Sequence, residues 1–393
     1  MDIPVSATLL RTMQALSPEF VAIRHDLHAH PELAFAEHRT SDLVAERLTA
    51  WGYQVHRGLG GTGVVGTLRK GTGSRTLGIR ADMDALPIEE QTGLAYASRH
   101  AGKMHACGHD GHTAMLLCAA RHLAESADFN GTLHLIFQPA EENEGGALRM
   151  VDEGLFTLFP CDEIYALHNA PGLPVGQVAI SAGPQMASFD RATVTLRGRS
   201  AHGAMPHHGI DPMQCAASIT LGLQSIVSRE VDALKSAVIT VGSIQAGEAY
   251  NVVPEIARLK IGVRTLDPKV RTLVEERIRA FINAQAQSYQ LQAEVVYERK
   301  YPVLVNHAEQ TATLRQAAIG VVGEDNVITR SPVMGSEDFA YMLEHRPGAY
   351  IRLGNGTGED GGCNVHNPLY DFNDKALPIG AALWAHLAQS RLV

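Results

Sequence analysis

Apolar residues along the first third of the chain switch between two rhythms. Phe20, Ile23 and Leu27 recur at helical spacing behind Ser17-Pro18. This predicts a helix opening at that pair, with Ser as N-cap and Pro in the first turn. A second helix is predicted over 41–51, stopped by Gly52. Short apolar runs over 64–68, 77–80 and 133–137 read as strands, and 113–125 reads as a buried helix between two of them. Such alternation predicts an α/β domain: a mixed, largely parallel sheet flanked by helices.

The rhythm changes in the middle. Residues 191–197 alternate as a strand, 211–227 form a helix beginning Asp-Pro, and 237–244 and 256–264 read as strands. An amphipathic helix over 269–284 and a strand over 291–298 follow. The order βαββαβ matches the split ferredoxin-like unit and predicts an inserted α+β lid domain. After Tyr301 the first texture returns, with helices over 311–321, 337–343 and 376–389 and a strand over 349–353. The expected division is 1–184 for the first part of a catalytic metal-binding domain, 185–297 for a lid and dimerisation domain, and 298–393 for the second catalytic part.

Composition narrows the class. A chain of 393 residues with 45% apolar and 19% charged residues is an ordinary globular mixture, long enough for two domains. The net charge of −9, without a Lys/Arg stripe, argues against nucleic acid as a partner. No apolar run approaches the roughly 20 residues of a membrane span, so no membrane partner is expected. The stretch from Met1 to Leu10 does not read as a secretory signal. Five scattered cysteines do not suggest a disulfide framework, so a cytoplasmic setting is expected. Nineteen histidines invite a search for metal ligands.

Four segments offer them, each at a predicted strand end or in a loop, where open α/β sheets bind ligands. His105-Ala106-Cys107-Gly108-His109-Asp110-Gly111-His112 presents a thiol and three imidazoles in a loop leading into a helix. Thiolate and imidazole suit Zn, Co, Ni or Mn. Gln138-Pro139-Ala140-Glu141-Glu142-Asn143-Glu144 places two carboxylates after an apolar strand. One ligand plus one base explains the pair; an exposed acidic loop is the alternative. His168, in Tyr165-Ala166-Leu167-His168-Asn169, taken alone reads more readily as a satisfied core histidine than as a ligand, and His366, in Cys363-Asn364-Val365-His366-Asn367, is a weak signal alone. A fifth element is Arg80-Ala81-Asp82-Met83-Asp84-Ala85-Leu86-Pro87-Ile88.

Taken in order, these segments resemble the bimetallic metallopeptidase family of aminoacylases and glutamate-releasing carboxypeptidases. Within it, the chain is similar to the amidohydrolase branch of hippurate hydrolases, auxin-conjugate hydrolases and N-acyl-L-amino acid amidohydrolases. The resemblance implies two divalent ions per subunit, of Mn, Zn, Co or Ni. It implies Cys107 as the bridging ligand, His109, Glu142, His168 and His366 as the other ligands, Glu141 as general base, and Asp84 as the acid behind the ligands. Other branches bridge their metals with a carboxylate, so their metal preference does not transfer to a chain with Cys.

The implied reaction is amide hydrolysis of an N-acyl amino acid. Two cations acidify a bridging water, Glu141 moves its proton to the leaving amine, and the oxyanion needs a positive partner. The lid residue His202 matches a family histidine that reaches a partner's active site, which implies a homodimer or higher homo-oligomer. A surface turn is its bland alternative. Asn251, Arg264, Gly335 and Ser336 match substrate-contacting positions. Arg264 suits a carboxylate, or a strand-edge salt bridge, and the amides of the turn Gly335-Ser336-Glu337-Asp338 are expected to open a helix and hold an anion. His25, His28 and His30 read as surface residues or as support behind the ligands. The competing readings are a cysteine hydrolase using Cys107 with His109 or His112, a dipeptidase or carboxypeptidase with the same paired ions, and a metal-binding protein without turnover.

Overall fold

The computed structural model describes residues 5–142 and 144–393. Asn143 of the acidic segment, and Met1 to Pro4 of the N-terminal stretch, lie outside the described residues. The chain forms two compact units. The first comprises Met1–Gly183, Val305–Ser331 and Asp338–Val393, and the second Pro184–Leu304 and Pro332–Glu337.

The first unit is built on an eight-stranded sheet. Its strands, from one edge, are Gln54–Leu59, Gly63–Lys70, Gly131–Gln138, Thr76–Asp82, Glu163–Pro171, Gly348–Gly356, Val178–Ala179 and Val327–Ile328. The four central strands from Gly131–Gln138 to Gly348–Gly356 run parallel. They are almost wholly buried: Leu133, Leu135, Ile136, Phe137, Ile164, Tyr165, Ala166, Ala349 and Ile351 are all inaccessible. Continuous apolar strands of this kind are expected where helices cover both faces. The helix His109–Glu125 is buried on nearly every side and packs between Val5–Ala29, Leu377–Arg391 and the sheet. Because the central strands are parallel, their C-terminal ends share one edge, and Asp82, Gln138 and His168 lie at or near those ends.

The expected helix start at Ser17-Pro18 is overturned. The helix runs Val5–Ala29 with Pro18 inside it. Proline has no N–H for the carbonyl four residues back, and that carbonyl belongs to Gln14. The Ser17 hydroxyl donates to Gln14 O instead, at 2.9 Å. The residue that resembled an N-cap therefore repairs a proline within the helix. The strand Gln54–Leu59 was not foreseen; it sits at the sheet edge with only Leu59 buried, so it lacks a clear apolar rhythm. The predicted 113–125 helix begins earlier, at His109, which brings Asp110 and His112 into its first turn.

The second unit carries a four-stranded antiparallel sheet in the order Ala237–Ala246, Ile256–Thr265, Ser188–Arg197, Gln292–Tyr301. With helices Pro212–Gly222, Gln224–Arg229 and Pro268–Ser288 it completes the expected ferredoxin-like βαββαβ order. Both Asp-Pro helix starts are capped as their chemistry requires: Asp211 accepts from Met213 N–H and Asp267 from Lys269 N–H, each at 2.8 Å. This unit has its own core, centred on Val194, Leu196, Ile219, Leu259, Val263, Val274 and Ile278. Among the described residues no helix is long and apolar enough to cross a membrane.

Candidate metal centre

Four chain segments of the first unit bring their donors to the C-terminal edge of the parallel strands. Cys107 precedes the helix that begins at His109, and Gly108 between them is its left-handed N-cap, with φ at 90°. A Cβ on Gly108 would lie 2.5 Å from both Asn169 Oδ1 and Tyr370 Oη, so only glycine makes this turn in this packing. Glu141 and Glu142 follow the strand Gly131–Gln138, and His168 sits on Glu163–Pro171. His366 lies in the loop after Gly348–Gly356, held by its own N–H donating to Ala106 O at 2.7 Å. That single backbone bond fastens the C-terminal loop beside Cys107.

Cys107 Sγ lies 3.3 Å from His168 Nε2, and His366 Nε2 lies 3.0 Å from Glu142 Oε1. One group of donors within 4.8 Å of one another is Cys107, His109 and His168, and another is Cys107, Glu142 and His366. Cys107 belongs to both. His109, Glu141 and Glu142 form a further group, which places Glu141 beside the ligand-type residues. The Asp338 N–H points to Glu141 Oε1 at 3.4 Å.

The surroundings set the orientation of these donors. Asp84 joins two of them, with Oδ1 3.2 Å from His109 Nδ1 and Oδ2 accepting from Glu142 N–H at 2.9 Å. A carboxylate behind an imidazole of this kind fixes which ring nitrogen faces a metal. His168 Nδ1 lies 2.7 Å from Asn169 O, turning Nε2 toward Cys107. His112 is not a member of either Cys107 group; its Nδ1 is 2.6 Å from Asp82 Oδ1 and its Nε2 2.8 Å from Asn169 Oδ1.

Electrostatics describe a basin of negative charge. Burial opposes ionisation of Asp82, but His109, Arg80 and His112 hold its carboxyl well below the ordinary range. Burial likewise disfavours the His109 imidazolium, yet Asp82 and Asp84 more than offset it and push His109 up to about 10. Burial, then His112, presses His168 well below its usual value. Burial, then the charges of Glu142, Glu141 and Asp82, raise the Cys107 thiol well above its usual value.

These residues fit a pair of divalent cations. Among the described residues His109 Nε2 is buried without a hydrogen-bond partner, and a buried polar atom carries a cost when left unmatched. A cation bound there would satisfy it and would reverse the electrostatics at Cys107, since a coordinating thiol is deprotonated. The donor set of thiol, imidazoles and carboxylate suits Zn, Co, Ni or Mn.

The remaining expected residues lie in the second unit. His202 is exposed on a two-residue ladder with Val252, its Nδ1 accepting from Ala204 N–H at 3.0 Å. Asn251 is exposed, and its carbonyl accepts from Gly203 N–H at 2.7 Å. Arg264 is half-buried over the Phe189 ring, and its Nη1 donates to Met334 O at 2.8 Å and approaches Ser336 Oγ at 3.4 Å. Among the described residues it makes no strand-edge salt bridge. The turn Gly335-Ser336-Glu337-Asp338 leads into the helix Phe339–His345, with Asp338 at its N-cap and Gly335 and Ser336 in the loop before it.

The sequence reading missed Asp82, Arg80 and Asp338 as a buried framework under the donors. Arg80 pairs with Asp82 at 2.7 Å and Asp338 at 3.1 Å, and its Nε donates to Gln138 Oε1 at 2.7 Å. The signal was present in Arg80-Ala81-Asp82-Met83-Asp84, since alternate residues of a strand share a face. Asp338 stood only in the turn Gly335-Ser336-Glu337-Asp338, with no local sign of its pairing with Arg80. His28 is wholly buried between Asp110, at 2.9 Å, and Glu90, at 3.4 Å, while His25 is part-exposed and stacked on Tyr96.

A parallel α/β sheet with such a donor set at its strand ends defines the class: a metal-dependent amidohydrolase. More particularly, the chain belongs to Peptidase family M20/M25/M40, whose model matches residues 78–390. It is 42% identical to the hippurate hydrolase of Campylobacter jejuni over 95% of this chain and 96% of that protein. It is 39% identical to an N-acetyl-L-cysteine deacetylase of Bacillus subtilis over 97% of this chain and 90% of that protein. A Bacillus subtilis crystal structure described as a dinuclear metal binding peptidase matches with TM-score 0.84 and 32% identity, over 96% of this chain and 99% of the other.

Proposed function

We propose that the chain hydrolyses the amide bond of N-acyl amino acids at a centre of two divalent ions. One ion would be held by Cys107, His109 and His168 and the other by Cys107, Glu142 and His366. The observation that carries this reading is the membership of Cys107 in both donor groups, with Glu141 alongside. When bound, the ions supply Lewis acidity toward the scissile carbonyl and hydroxide at neutral pH. Glu141 takes a proton from the attacking water and delivers it to the leaving nitrogen, giving a carboxylic acid and a free amine. Asp84 holds the His109 ring and the Glu142 backbone during that exchange.

For the substrate carboxylate we assign Arg264, assisted by Asn251 and the Gly335-Ser336 backbone. The Arg264 contacts to Met334 O and Ser336 Oγ support this, since they keep guanidinium and loop together. His202 is assigned to the oxyanion from a partner subunit of a homodimer; its exposed ring is available to a second chain. The setting we assign is cytoplasmic, in keeping with five unpaired cysteines. The Campylobacter relative's name favours an aromatic acyl group, as in N-benzoylglycine, and the Bacillus relative's an acetyl group.

The Cys107–His168 contact suggests cysteine nucleophilic catalysis as the rival. Burial and the adjoining glutamates oppose a thiolate there unless a cation is present, which favours the ligand role. The test is a panel of N-benzoyl and N-acetyl amino acids and dipeptides, assayed after chelation and after return of Mn, Zn, Co or Ni. Metal-restored turnover of acylated amino acids is expected. Full turnover by thoroughly chelated protein sinks the reading, and a clear preference for dipeptides replaces the substrate class. Glu141→Gln is expected to lose about 10²–10⁴-fold in kcat while still binding metal.

A further inference from the structure

Glu37 is buried completely, yet among the described residues it belongs to none of the donor groups able to hold a metal. It stands before the helix His38–Ala50, where an acidic side chain ordinarily caps the first turn, but this one makes no cap hydrogen bond. Its carboxylate turns inward. Oε1 accepts from Ala140 N–H at 2.9 Å and Phe35 N–H at 3.1 Å, and Oε2 accepts from the Thr62 hydroxyl at 2.5 Å.

The two amides on Oε1 share a property. Phe35 has φ 61° and Ala140 has φ 53°, a left-handed conformation that residues with a Cβ rarely adopt. Such a conformation persists only where surrounding contacts over-determine it. At Ala140 they do. Gly146 N–H donates to Ala140 O at 2.9 Å, and Gly146 comes so close that a Cβ there would lie 1.8 Å from Pro139 O. Immediately after Ala140 come Glu141 and Glu142, and Asp84 accepts from Glu142 N–H. The strained turn is thus gripped by Glu37 before the paired glutamates and by Asp84 within them.

We propose that Glu37 is a positioning residue for the reaction: it locks the left-handed turn at Ala140 from which Glu141 and Glu142 project. The proposal rests on the assignment of Glu141 as base and Glu142 as ligand. Glu37 touches neither substrate nor metal and acts through the Ala140 backbone. Removing it lets the turn relax toward an ordinary φ, which swings both glutamates together.

The experiment compares Glu37→Ala, Glu37→Asp and Glu37→Gln in full-length protein, with circular dichroism and melting as fold controls. Asp keeps a carboxylate but falls a methylene short of Ala140, so it carries the test where Ala fails to fold. Gln keeps the oxygen that accepts from Ala140 and Phe35, and its amide faces the Thr62 oxygen. Ala and Asp are expected to lose about tenfold to a hundredfold in kcat, with KM within about threefold of the parent. Isothermal titration of metal-stripped protein with Mn²⁺ is expected to show one of two binding events weakened by about ten- to a hundredfold. Gln is expected to restore both readouts, and Ala140→Gly in the Glu37→Ala background to recover part of the kcat, because glycine adopts the turn without strain. The proposal is overturned if folded Ala or Asp variants keep parental kcat and Mn²⁺ binding, or if Gln behaves as Ala does. Glu141→Gln, run in parallel, separates the two ideas: full activity there removes the base assignment, whereas its inactivity beside an unaffected Glu37→Asp removes only the role of Glu37.

Discussion

The two units solve the burial of a sheet in opposite ways. The strand Thr76–Asp82 of the first is buried at nearly every position, whereas Ser188–Arg197 of the second alternates between buried and accessible residues. The first unit also places charge in its interior: Arg24, Arg80, Asp82, Asp84 and Asp110 are at most 1% exposed. The second has Asp190 as its counterpart, bound to Arg271 and to the Tyr297 hydroxyl. Its other pairs, such as Arg191–Glu298, stand at the surface. The difference teaches where the chemistry is kept. A doubly covered sheet excludes water from its strand ends, and there a fixed charge orients its neighbours strongly.

The contrast can be broken in four ways. Chelation should have the largest effect. It is expected to abolish hydrolysis and to lower the melting temperature, because ions that bind only the folded state stabilise it by mass action. Calorimetry with and without chelator checks this, and unchanged activity and melting would leave the buried acidic basin unexplained. Next is Arg80→Met, which takes the guanidinium away from Asp82 and Asp338. Breaking a buried pair costs about 3–5 kcal/mol, readable by denaturant titration.

A smaller effect is expected from pH. Burial works against the His28 imidazolium, but Asp110 and Glu90 outweigh it and raise its pKa to about 9. The folded value lies above the unfolded value of about 6.5. The stabilisation is therefore complete below about pH 6.5 and lost as pH rises through 9, an upper bound of about 3 kcal/mol. Melting of metal-stripped protein should fall across that window, and His28→Gln should flatten the slope. An identical slope in the variant refutes the assignment. The smallest effect belongs to Arg191→Met in the second unit. Its half-exposed pair, 3.9 Å apart, contributes about 0–1 kcal/mol. Equal losses from Arg191→Met and Arg80→Met would erase the distinction between the units.

Legibility followed distance along the chain. His105 to His112 announced itself because a thiol and three imidazoles are contiguous, and the ferredoxin-like order was readable because half-buried strands alternate. Asp338 was invisible because its contact with Glu141 spans 197 residues, and Glu37 because its bond to Ala140 spans 103. Ser17-Pro18 was misread for a related reason. Its local chemistry is that of a helix start, and the tertiary packing of Val5–Ala29 outweighed one missing backbone bond.

Residue chemistry alone, then, determined which atoms are available as donors and the strand and helix rhythm of most segments, since both are properties of side chains and their near neighbours. Only the tertiary structure decided that Cys107 meets His168 and that His366 is tied to Ala106. Those meetings depend on the lateral order of parallel strands, and strand order is set by the packing of whole surfaces rather than by any local run of residues.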